Sequence, residues 1–85
     1  MSTQNTASTA THNGAPVFDY QVWTDDYELD AWVYGPWQGE DVAREIAEEY
    51  QRETGTIPYI TRYNTRPTAD GWWETDPAEF ERIAP

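Results

Sequence analysis

Nearly all the side chains in this chain that are able to carry acid–base, metal or nucleophilic chemistry are carboxylates. The 85 residues include sixteen Asp and Glu, five positive charges that are all arginine, one histidine and no cysteine, for a formal net charge of -11. Neighbouring carboxylates such as Asp25 with Asp26, or Glu28 with Asp30, are the pairing used in acid–base catalysis and cation binding. Here they fall in a turn and on a solvent-facing strand, with no apolar pocket to shift a pKa, and no Asp-x-Asp-x-Asp-Gly run marks a calcium loop. Without cysteine there is no thiolate nucleophile, disulfide or sulfur-ligated metal centre. His12, in a polar stretch, has no second imidazole for a metal cluster and no nucleophile for a triad. The lack of lysine removes an amine nucleophile and a phosphate-loop lysine. The inventory therefore points away from an enzyme or a cofactor carrier and toward a protein that works by binding.

What it would bind is constrained by how the charge is distributed. Residues 17–35 carry five acids and no base, residues 36–55 six acids and two arginines, and residues 56–85 five acids and three arginines. Such a field repels phosphate backbones, so direct nucleic-acid binding is disfavoured, and it suits an approach to a basic groove; high-salt adaptation or simple solubility would use the same charge. Two other groups fit a protein interface. Trp23, Trp32, Tyr34, Tyr59 and Tyr63 alternate onto one strand face, and aromatics are enriched at interface centres. Arg62 and Arg66 follow the acidic half, and arginine is a frequent hot-spot residue through bidentate contacts to carboxylates. The bland alternatives are a C-terminal segment folding over the aromatics and arginines neutralising the chain's own acids.

These residues need elements to position them. Mean hydropathy is -0.91 and only 38% of residues are hydrophobic, which leans toward disorder, but 15% are aromatic and supply large areas for a small core. Residues 1–16 are Ser/Thr/Asn/Ala-rich and read as a flexible tail. Two period-two runs, Phe18–Trp23 and Tyr27–Tyr34, flank Thr24-Asp25-Asp26 and read as a β-hairpin. A helix is expected from Gly39 or Glu40 to Gly55, with Val42, Ile46, Tyr50 and the alanines 43 and 47 forming an apolar stripe and acids on the outer side. A third strand is expected over residues 57–63, then a loop to Gly71, a short strand at Trp72-Trp73 and a helical turn opened by Asp76-Pro77. The expectation is thus an α+β fold: a three-stranded antiparallel sheet (strand-strand-helix-strand, residues 17–67), one helix on one face, and a Trp-containing C-terminal extension over residues 68–85. No apolar run approaches membrane-helix length and no basic-then-apolar leader pattern occurs, so the chain reads as cytosolic and not membrane-bound.

The opening MSTQNT, the acidic helix EDVAREIAEEY and the ending YITRYNTRP, in this order around the hairpin, resemble the host RNA polymerase inhibitors of T-odd coliphages, the gene 2 protein family. The similarity covers residues 1 to about 67 and is strongest in Thr-Arg…Arg-Pro; three residues separate the arginines here where the family pattern has one, and residues 68–85 have no counterpart. The resemblance implies a small phage protein, monomeric and non-enzymatic, that works in the host bacterial cytoplasm. It implies binding to the β′ jaw of RNA polymerase inside the DNA channel and inhibition of transcription initiation. Arg62 and Arg66 match that family's polymerase-contacting arginines, and Asp41, Glu45, Glu48 and Glu49 match its acidic helix strip; with Trp32 and Tyr63 from the aromatic face they are the expected partner-binding residues. An acidic phage-borne inhibitor of another nucleic-acid machine, such as an anti-CRISPR or a DNA mimic, is the alternative.

Overall fold

Alternation along the strands builds the molecule outward from one sheet. The computed structural model describes residues 9–24 and 31–83. Its elements are β1 (Thr11–His12), β2 (Ala15–Pro16), β3 (Phe18–Trp23), β4 (Ala31–Tyr34), α1 (Glu40–Thr54), β5 (Tyr59–Pro67) and β6 (Trp73–Ile83). The fold is α+β with one helix, but the expected single three-stranded sheet is incorrect. There are two sheets: the β1–β2 pair, and a four-stranded antiparallel sheet in the order β4-β3-β5-β6.

The fourth strand, β6, runs through residues expected to form a helical turn. Asp76 and Pro77 resemble a helix start, and Asp76 Oδ1 does accept a hydrogen bond from the Ala78 amide at 3.0 Å, the local bond an N-cap would make. No helix follows. The register passes from Tyr63↔Phe80 to Asn64↔Asp76, so residues 77–79 bulge out of β6 while pairing continues on both sides. Pro77, which has no amide to donate, sits in the bulge where none is needed. Pairing with β6 also extends β5 to Pro67, through Thr65↔Thr75 and Arg66↔Glu74, across residues expected to be loop.

The β1–β2 hairpin lies within the stretch that composition reads as tail. Asn13-Gly14 supplies its turn with two positive φ angles, 54° and 83°, which asparagine and glycine tolerate. Ala10, just before it, is buried; its amide donates to the Thr65 carbonyl at 3.1 Å and its carbonyl accepts from the Val17 amide at 2.8 Å, fixing the hairpin to the end of the sheet.

One sheet face carries the core. Tyr20, Val22, Val33 and Ile60 pack with Ala43 and Ala47 of α1, and Phe18, Ala31, Val42, Ile46 and Ile83 surround them. The two alanines are the helix residues pressed hardest onto the sheet, because their small side chains let the axis approach while Val42 and Ile46 fill the flanks. Glu40 and Asp41 sit in the first turn, where the helix dipole favours acids, and Gly55 in left-handed conformation ends the helix. Asp25, Asp26, Tyr27, Glu28, Leu29 and Asp30 lie outside the described residues.

Candidate protein-binding surfaces

The expected partner-binding residues are distributed over two sides of the molecule. On the helix side, Asp41, Glu45, Glu48 and Glu49 are all exposed; Asp41, Glu45 and Glu49 recur every four residues, about 6 Å apart along the axis, and Glu48 lies three residues after Glu45, so the four form one strip. Glu40, in the same turn as Asp41, is held instead by Arg44, 2.8 Å away.

Arg62 lies on the helix side of the sheet because its partner across β3 is Tyr20, a core residue. Its guanidinium is ion-paired with Glu81 of β6 and stacks over the Phe18 ring, 4.6 Å from the centroid. Burial raises the Tyr20 pKa above its usual 10.0 and Glu40 adds to this, while Arg62 and Arg44 oppose it. Arg66 is exposed near the end of β5, with its Nε 3.8 Å from Asp76. Both arginines therefore have an acid of their own chain beside them, at exposures where such pairs contribute about 0.2–1 kcal/mol.

The opposite sheet face carries the aromatics, and among the described residues no helix packs on it. Trp32 and Tyr34 of β4 stack at 6.0 Å, Trp32 reaches over β3 to Tyr63 of β5 at 5.3 Å, and Tyr63 meets Phe80 of β6 at 5.8 Å. The Tyr63 hydroxyl donates to Gln21 Oε1 at 3.2 Å, fixing the bridge over β3. Trp32 and Tyr63 are thus brought together, on the far side of the sheet from the acidic strip. At one end Arg82 stacks on Tyr59 and Trp23 at 4.3 and 5.3 Å, and the Trp23 indole donates to Thr61 Oγ1 at 2.9 Å. Phe80 is 62% exposed, so this face is only partly closed by its own strands.

At the other end is a cleft of about 610 Å³ that the sequence did not disclose. Trp72 and Trp73 stack at 4.7 Å, and Trp37, from the β4–α1 connection, meets both at 5.2–5.3 Å. Asp19 lies among its lining residues and is 1% exposed. Its Oδ2 accepts a hydrogen bond from Thr75 Oγ1 at 2.7 Å, whereas Oδ1 has no hydrogen-bond partner among the described residues. Loss of hydration raises the Asp19 pKa above 3.8, against smaller opposing effects of Thr75, the Trp73 indole and the Gly35 amide. The available signal was Asp19 itself, a charged residue on the aromatic side of a strand. What hid it was distance in sequence, since residues 72–75 reach Asp19 only once β6 joins the sheet, while Trp37 comes from the β4–α1 connection.

No family model matches this chain, and neither a curated protein nor a solved structure matches it significantly. Among the described residues no helix is long and apolar enough to cross a membrane.

Proposed function

We propose that this chain is a non-enzymatic phage protein that inhibits transcription initiation in the host bacterial cytoplasm by placing the acidic side of α1 in the DNA channel of RNA polymerase. The observation that carries this reading is the exposed strip of Asp41, Glu45, Glu48 and Glu49 on a chain of net charge -11. A surface of that sign is repelled by nucleic acid and attracted to the basic grooves that hold it. The identity of the partner, including its β′ subunit, rests on the resemblance in EDVAREIAEEY and YITRYNTRP.

The surroundings of Arg62 and Arg66 favour a second reading. With Glu81 and Asp76 beside them, these arginines are less available for a partner, so carboxylates carry the binding, as in a DNA mimic or anti-CRISPR directed at another nucleic-acid machine.

Binding of purified bacterial RNA polymerase to the immobilised protein separates these readings. The parent is expected to bind, and the combined Glu45→Lys, Glu48→Lys and Glu49→Lys variant to lose binding, with Arg62→Ala/Arg66→Ala having the smaller effect. Failure of the parent to bind polymerase transfers the proposal to another machine. Binding that survives the triple charge reversal removes α1 from the interface.

A further inference from the structure

The cleft beside Asp19 combines features that a plain core or a bare acidic patch would not. Trp37, Trp72 and Trp73 line it, and Trp37 is 63% exposed and Trp72 53% exposed, unusually open for the largest apolar side chains in a chain with a small core. Asp19 is almost wholly buried there; Thr75 donates to its Oδ2, and the Trp73 indole and Gly35 amide lie close enough to favour its ionised form, but neither completes a hydrogen bond to Oδ1. Glu74 adds a second carboxylate to the lining, which contains neither lysine nor arginine. A buried carboxylate that is under-supplied with donors and has no cation beside it is costly, so a ligand that brings N–H groups and a positive charge to this cleft is favoured.

We infer that this cleft is a binding site for a guanidinium group, supplied by an arginine side chain of a partner polypeptide. Guanidinium is the organic cation that fits both parts of the site. It is planar and weakly hydrated, stacks on tryptophan faces, and still has N–H groups to donate to a carboxylate oxygen. A quaternary ammonium would use the rings but has no N–H to offer the Asp19 and Glu74 carboxylates. A polypeptide fits better than free arginine because the lining offers no cation to meet an α-carboxylate, and its own acids repel one. Desolvation of Asp19 agrees with this: a cation alongside stabilises the ionised form that burial disfavours. The cleft is on the sheet face away from the α1 acids, so the inference stands apart from the polymerase reading.

The test is a titration of the whole chain, labelled with nitrogen-15, with N-acetyl-arginine N-methylamide, following the indole N–H signals of Trp37, Trp72 and Trp73. Saturable shifts are expected at these indoles. The neutral capped citrulline should bind at least about tenfold more weakly, as it keeps the shape and loses the charge. Free arginine and capped lysine should also be weaker than capped arginine. Asp19→Asn and Trp72→Ala should each lower affinity at least about tenfold; Trp72 is exposed, so its variant stays informative if the Asp19 variant does not fold. The inference is overturned by the absence of saturable shifts, by capped citrulline or lysine binding as tightly as capped arginine, or by Trp72→Ala binding as the parent does. The experiment contains no polymerase, and neither result bears on that proposal.

Discussion

Replacing Thr75 by valine removes one hydrogen bond and little else. Thr75 Oγ1 donates to Asp19 Oδ2 at 2.7 Å, and valine keeps the branched shape. A hydrogen bond to a charged partner contributes about 1.5–3 kcal/mol, against about 0.5–1.5 kcal/mol for a neutral one. The cost should therefore depend on whether Asp19 is ionised. Burial raises its folded-state pKa above 3.8, so the folded protein holds this proton more tightly than the unfolded chain. Asp19 then contributes a loss of stability as pH rises from about 4 through the raised value, the reverse of a salt-bridged carboxylate. Thr75→Val takes away a bond that opposes the shift, so the folded pKa rises further and the gap between variant and parent widens with pH. Urea unfolding of both proteins at several pH values should give a difference of about 1.5–3 kcal/mol at pH 7, falling to about 0.5–1.5 kcal/mol at pH 3. The other acid lining the cleft is Glu74, so the comparison is repeated in an Asp19→Asn background, where the pH dependence of the difference should vanish. A difference equal at all pH values, or one that keeps its slope without Asp19, would refute the reasoning.

Three further outcomes are expected. Ile60→Ala, at a fully buried position of the central strand β5, should cost about 2–5 kcal/mol by urea unfolding, a large share of the roughly 4–13 kcal/mol available to 85 residues; a cost below about 1 kcal/mol would mean that Ile60 is not in the core. Gly35→Ala would place a Cβ 2.7 Å from the Phe18 carbonyl oxygen, so a loss of about 1–3 kcal/mol is expected in the same assay, and an unchanged protein would contradict the close approach. A double-mutant cycle of Arg62→Ala with Glu81→Ala should give a coupling of about 0.2–1 kcal/mol, and zero coupling would return Arg62 to the pool of free surface cations.

Short-range patterning carried much of the fold. Alternation in Phe18–Trp23 separated the helix-facing Phe18, Tyr20 and Val22 from Asp19 and Trp23, and the stripe in residues 42–50 marked the helix side that meets the sheet. Two local signals mislead. Asn13-Gly14 is a strong hairpin turn, masked by the small, polar residues around it. Asp76-Pro77 is a helix-start pair whose hydrogen bond forms but serves a bulge, because tertiary pairing with β5 decides between the two outcomes. The missed β6 also explains what was hidden in the site. Trp73, Thr75, Phe80 and Glu81 come from that strand, so neither the Asp19 cleft nor the acid beside Arg62 was legible while residues 68–85 were an extension. The α1 acids were legible because helical spacing and exposure follow from the sequence alone.

The proposal that the α1 acids compete with DNA for a basic groove is tested most directly by titrating the protein into purified RNA polymerase already bound to fluorescent promoter DNA. The account predicts displacement of the DNA by the parent and little displacement by the Glu45→Lys, Glu48→Lys and Glu49→Lys variant. Retention of the DNA in a ternary complex at saturating protein, or equal displacement by the variant, would contradict it.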